Sequence, residues 1–79
     1  MEEEIRQLLL RHPRWREFIN EYGGVKCLII PYHGIDFLLF NEVGGSLYTT
    51  VLWESVPVAL NNIEMVRRFQ DIARQLFNS

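Results

Sequence analysis

Few groups in this chain could do chemistry, and their spacing limits what that chemistry would be. His12, His33 and Cys27 are its strong nitrogen and sulfur metal ligands, and no local pair of them has the spacing that a metal site uses. His33 falls in a turn cluster and His12 precedes a proline, where both read as polar boundary residues. Cys27 lies among Val25, Leu28, Ile29 and Ile30, the setting of a small buried hydrophobe whose thiol resists ionisation. Ser46 follows two glycines and Ser55 precedes Val56-Pro57. Neither belongs to a Gly-x-Ser-x-Gly turn or has a histidine placed as its base. Gly44-Gly45 is too short to cradle a phosphate and leads into a strand pattern instead of a helix. No catalytic, metal-binding or cofactor-binding residue is assigned, and the chain is expected not to be an enzyme.

Two further features bear on binding. Asp36 stands between Ile35 and Phe37, where an inward carboxylate would have a raised pKa unless paired. It follows a turn cluster by one residue and reads as a rim acid, and a lone carboxylate makes a poor catalyst. Arg11-His12-Pro13-Arg14-Trp15-Arg16 interleaves basic groups with an aromatic, the local footprint of a nucleic-acid or phosphate contact. Trp15 shares an apolar stripe with Phe18 and Ile19, which reads as core, and Glu17 and Glu21 dilute the charge. Arg14 and Arg16 are left as candidates for the rim of a partner contact.

The elements that must position these groups centre on residues 25–53, which read as three consecutive strands. Val25-Lys26-Cys27-Leu28-Ile29-Ile30 stops at Pro31-Tyr32-His33-Gly34, where proline presets one turn dihedral and glycine accepts a positive φ. Ile35-Asp36-Phe37-Leu38-Leu39-Phe40-Asn41 follows, then Glu42-Val43-Gly44-Gly45, a second turn signal. A third strand is expected over residues 46–53. Tight turns would place Phe37 near Leu28 on one side and Leu52 on the other, with the second strand central in a meander. One face then carries Leu28, Ile30, Ile35, Phe37, Leu39 and Leu52. The other carries Val25, Cys27, Ile29, Leu38, Phe40, Val51 and Trp53, with Asp36 and Thr49 among them. An antiparallel sheet with one solvated side alternates apolar and polar residues. Loss of that alternation implies that something covers both faces.

Helical spacing flanks the strands. Ile5, Leu8, Leu9, Trp15, Phe18, Ile19 and Tyr22 recur at helical intervals over residues 2–22, with acids at the positive end of the dipole. Pro13 interrupts the pattern, so the segment is expected to kink or to split into helices over residues 2–10 and 13–22. Gly23-Gly24 supplies the stop. After Trp53, Pro57 forbids a central strand, and residues 54–60 read as an extended connection or edge segment. Asn61 or Asn62 caps a last helix whose apolar positions are Ile63, Val66, Phe69, Ile72, Ala73, Leu76 and Phe77. The expected fold is a single small α+β domain over residues 1–79: a helix kinked or split at Pro13, a three-stranded antiparallel meander, and a C-terminal helix on one sheet face.

Composition bounds the function. A chain of 79 residues buries only roughly 60% of its unfolded surface, so its core is modest and association is a plausible support. Apolar residues at 48% and charged residues at 23% exclude a disordered tail. A single Cys cannot form an internal disulfide, which fits a reducing cytoplasm. The opening Met1-Glu2-Glu3-Glu4 has the wrong charge for a targeting segment, and no apolar run approaches the roughly 20 residues of a membrane span. The formal net charge is −2, too small for a strong nucleic-acid field.

The order helix, three antiparallel strands, helix resembles that of double-stranded RNA-binding domains. In that family the last helix opens with a lysine-rich patch on phosphates, whereas this one opens Asn61-Asn62-Ile63-Glu64, with Arg67 and Arg68 the nearest basic pair. The sheet layer also looks somewhat like that of small dimeric secretion chaperones, without a shared motif. The expected function is a non-catalytic protein–protein interaction module, homodimeric through an apolar sheet face and acting as an adaptor, inhibitor or regulatory subunit. Leu38, Phe40, Val51 and Trp53 are expected to face the partner, with Arg14 and Arg16 at the rim. Nucleic-acid binding through the Arg-bearing helices is the alternative.

Overall fold

The computed structural model describes residues 1–12, 20–22, 25–41 and 47–78. Their order is α1 (Glu2–Leu10), β1 (Asn20–Tyr22), β2 (Val25–Tyr32), β3 (Ile35–Asn41), β4 (Leu47–Val51), a 3₁₀ turn (Trp53–Ser55), α2 (Val56–Leu60) and α3 (Ile63–Phe77). The three long strands form the expected antiparallel meander with β3 inside, and the short β1 extends it to the order β1-β2-β3-β4. The chain is an α+β fold with its C-terminal helix against the sheet.

Helix α1 follows from good helix formers and from Ile5 and Leu9 one turn apart on the buried face. It ends where Arg11 and His12 donate their backbone N–H groups to Gln7 and Leu9, just ahead of Pro13, which itself lies outside the described residues along with Arg14, Trp15 and Arg16. The expectation of helix up to Tyr22 is corrected at its end: residues 20–22 are strand β1, paired antiparallel with β2.

The β2–β3 turn is tighter than the sequence suggested. Strand β2 runs on through Pro31 and Tyr32, and the loop is His33-Gly34 alone, with φ of 51° and 76°. Two successive positive φ values give the two-residue turn whose twist suits a hairpin. Pro31 is tolerated because its missing N–H faces away from β3, beyond the three residues of β2 that β1 reaches. Phe37 therefore pairs with Ile30, not near Leu28, and with Val51, not Leu52. The first slip is by two residues and keeps the faces of β2. The second is by one residue and exchanges the faces of β4, because side chains alternate with a period of two. Thr49 and Val51 accordingly belong with Leu28, Ile30, Ile35, Phe37 and Leu39, contrary to the sequence reading.

That face is the one the helices cover. Ile5 and Leu9 of α1, Ala59 of α2, and Val66, Phe69, Ile72 and Ala73 of α3 join the inner-face residues in one core. Phe37 and Phe69 stack at its centre, ring centroids 3.8 Å apart. On the other face Cys27 pairs with Phe40 and Ile29 with Leu38. Strand β4 stops at Val51 because Ser55 takes over its role. The Asp36 N–H donates to Ser55 Oγ at 2.8 Å, while the Leu52 carbonyl accepts the Ser55 N–H. The edge of β4 is partly occupied, since Gln70 Nε2 of α3 donates to the Thr49 carbonyl at 3.0 Å.

Residues 56–60 form a helix, not an extended connection. Pro57 sits in the first turn of α2, where its absent N–H would lack an intrahelical partner anyway and its fixed φ suits the helix. Asn62 is the N-cap of α3, as expected, but its side chain reaches back to the Val58 carbonyl at 2.9 Å. It thereby fastens α2 to α3 instead of capping the new helix.

Candidate interaction surface

The residues expected to meet a partner are dispersed by the fold. Leu38 and Phe40 share the outer face of β3, but Leu38 is only 8% exposed and Phe40 is half-buried, stacked with Tyr48 at a centroid distance of 5.4 Å. Val51 lies on the opposite face, against the core. Trp53 stands apart from both, 82% exposed in the 3₁₀ turn. Arg14 and Arg16 lie outside the described residues.

Trp53 is not isolated. The 3₁₀ turn passes into α2 through Ser55 and Val56 in right-handed helical geometry, so residues 53–60 behave as one short helical run. Ser55 and Ala59 are buried and Val56 is half-buried. Trp53, Pro57 and Leu60, spaced four and three apart, fall on the opposite stripe, and all three are exposed. Leu60 is 65% exposed, and Val58 flanks the stripe. Sequence reasoning missed Pro57, Val58 and Leu60 because proline forbids a central strand, and the segment then reads as an extended connection or edge segment. Read with proline in a first helical turn, the same letters give an apolar stripe that no other element claims.

Three other sites hold polar groups. Glu4, Leu8, Arg11, Pro31, Tyr32 and His33 line a shallow hollow of about 390 Å³ between α1 and the β2–β3 turn. There Tyr32 and His33 both hydrogen-bond the Glu4 carboxylate, His33 Nε2 at 3.1 Å. The Tyr32 bond, reinforced by His33, holds Glu4 below its usual carboxylate range. Burial, with the Glu4 charge beside it, pushes the Tyr32 phenol up to about 12. A carboxylate held ionised and a phenol held protonated are both far from exchanging protons near neutrality, which suits a clasp joining α1 to the turn more than acid–base work.

A second hollow, of about 340 Å³, brings Arg67 and Arg68 together with Glu2, Glu64 and Asp71. The acids there offset the cationic patch that a nucleic-acid backbone would require. Arg6 is likewise engaged by Glu2 at 3.1 Å, and Arg74 by Asp71 at 3.2 Å.

The third is within the fold. Thr49 is buried on the core face, and its Oγ1 has no hydrogen-bond partner among the described residues. Burial raises the Cys27 thiol pKa, Ser55 Oγ is spent on the Asp36 N–H, and Asp36 is half-buried opposite Pro31. Among the described residues, no three or more His, Cys, Asp or Glu side chains cluster as metal ligands, and no helix is long and apolar enough to cross a membrane. No protein-family model, curated protein or solved structure significantly matches the chain.

Proposed function

We propose that this chain is a non-catalytic protein–protein interaction module, an adaptor, inhibitor or regulatory subunit, that presents the Trp53–Pro57–Leu60 ridge to its partner. The observation that carries this reading is the exposure of Trp53 at the head of an apolar stripe. Tryptophan is the residue type most enriched among those that dominate binding energy, and contiguous exposed apolar surface marks contact sites. The run also reads as a short helical segment of the kind that lies in a partner's groove. Self-association through the outer sheet face draws less support, because Leu38 is already buried and Phe40 is half-covered and stacked on Tyr48. A reducing cytoplasm suits the single buried, unpaired Cys27.

The test is affinity capture from the cells that encode the chain, with wild type and Trp53→Ala as paired baits and quantitative mass spectrometry as the readout. A small set of proteins held by wild type and released by the variant is expected. Identical sets from the two baits would remove the ridge from the function.

A further inference from the structure

We infer that the ridge's partner is a different protein, one whose apolar groove is rimmed by Lys and Arg, and this rests on the reading of the ridge given above. The argument is from charge. Residues 27–66 contain no Lys or Arg, while they contain Asp36, Glu42, Glu54 and Glu64. All of the cationic side chains lie before or after that span, at Arg6, Arg11, Arg14, Arg16, Lys26, Arg67, Arg68 and Arg74. Glu54 follows Trp53 directly and is exposed. Asp36 lies behind it, its N–H on Ser55. Glu64, beyond the far end, also lines the hollow of Arg67 and Arg68 and is counted with them, so the charge beside the ridge is that of Glu54. An apolar ridge headed by an exposed carboxylate, with no Lys or Arg among the described residues 27–41 and 47–66, is complementary to an apolar groove with a basic rim.

The same charges argue against a second copy. In a twofold interface the same patch meets itself, so Glu54 would approach its own symmetry mate with no cation among the described residues of the patch to separate them. A head-to-tail contact would need a basic-rimmed apolar groove elsewhere on this chain. Among the described residues each candidate has an acid beside it: Arg67 and Arg68 share their hollow with Glu2, Glu64 and Asp71, Arg6 is paired with Glu2, Arg74 with Asp71, and Arg11 shares its hollow with Glu4.

The experiment places a photo-crosslinking amino acid at Val58, beside the ridge, in the full chain, and maps the crosslinked residues of whatever is captured. The capture is repeated with Trp53→Ala, with Leu60→Ser and with Glu54→Lys, each first checked for an unchanged thermal melt. Light scattering runs in parallel over a range of concentrations. The expected result is crosslinks to apolar positions flanked by Lys or Arg in another protein. Loss of the Trp53 anchor weakens retention by about 30-fold. Charge reversal weakens it by up to about fivefold, most at low salt.

Retention that depends on Trp53 but ignores both charge reversal and salt would overturn the basic rim while leaving the ridge in place. Crosslinks between two copies, with a mass that rises with concentration and falls in Trp53→Ala, would make the occupant a second copy and overturn the inference. Equal capture by wild type and Trp53→Ala, or no crosslink at all, would overturn both the inference and the ridge reading beneath it.

Discussion

Phe37 and Phe69 on one side of the molecule and Trp53 on another put the same kind of side chain to opposite uses. The two phenylalanines are fully buried and stacked between sheet and helix, so their rings are surrounded by apolar atoms and hold α3 on β3. Trp53 projects from a turn whose own anchorage comes from its neighbours: Ser55 through the Asp36 N–H, and Ala59 through the core. The turn is thus anchored by Ser55 and Ala59, while the indole beside them stays exposed. A large apolar group left mostly exposed by its own chain is available to a partner, and the contrast separates stability from binding in experiments.

The sharpest break of that contrast is Phe69→Ala. Truncating a fully buried phenylalanine should cost about 3–5 kcal/mol, a large share of the stability of a domain this size. Chemical denaturation should show a fall in midpoint or no folded baseline at all. A loss below about 1 kcal/mol would mean that the Phe37–Phe69 stack is not the centre of the core.

Thr49→Val acts in the same core with the opposite sign. It replaces an unpartnered buried hydroxyl by a methyl group of similar shape, and leaving such a group unsatisfied costs about 1–3 kcal/mol. The variant should be more stable in the same denaturation experiment. A destabilised variant would show that the hydroxyl has a partner.

The clasp at Glu4 sharpens the comparison through pH. Tyr32 is raised to about 12, so the folded state keeps a proton that the unfolded chain releases near an ordinary phenol pKa of about 10. Its contribution is intact below about pH 10 and is lost as pH rises towards 12. Glu4 is lowered, so its contribution is present above the ordinary carboxylate range and fades as pH falls through its folded value. An ultraviolet phenolate titration should lose its last component, near 12, in Tyr32→Phe. Persistence of that component would show that it does not belong to Tyr32.

Trp53→Ala is expected to do least to the fold, within about 0.5 kcal/mol, as for surface positions generally. It should leave the melt almost unmoved while weakening partner capture by about 30-fold. A substantial loss of stability would mean that the indole belongs to the core after all, and the two regions would no longer differ.

Helices α1 and α3, the three long strands and the α+β class were legible because each rests on a periodicity many residues long. No single position decides a pattern such as Ile5 with Leu9 or Val66 with Phe69, Ile72 and Ala73. Of the residues that the sequence puts at a partner contact, Trp53 is the one that the fold leaves largely exposed among those described. Leu38, Phe40 and Val51 were chosen from an alternation that reads equally well in either register, and β4 took the register that moves Val51 to the core. Residues 53–60 were misread because Pro57 excludes a strand interior yet is welcome in a first helical turn, and the letters do not say which setting applies.

The sequence by itself determined what could be buried and what chemistry was unsupported. Apolar spacing fixes which residues seek a core, and the scarcity of ligands and nucleophiles is a property of composition. The tertiary structure alone decided which face of β4 turns inward, that a hydroxyl from Ser55 closes the sheet where β4 ends, and that Trp53, Pro57 and Leu60 form one exposed stripe. Each depends on distant partners, namely Asp36 for Ser55, Phe37 for Val51, and the core that receives Ala59. Local preferences near one another in energy are settled by such contacts, which no window of the sequence contains.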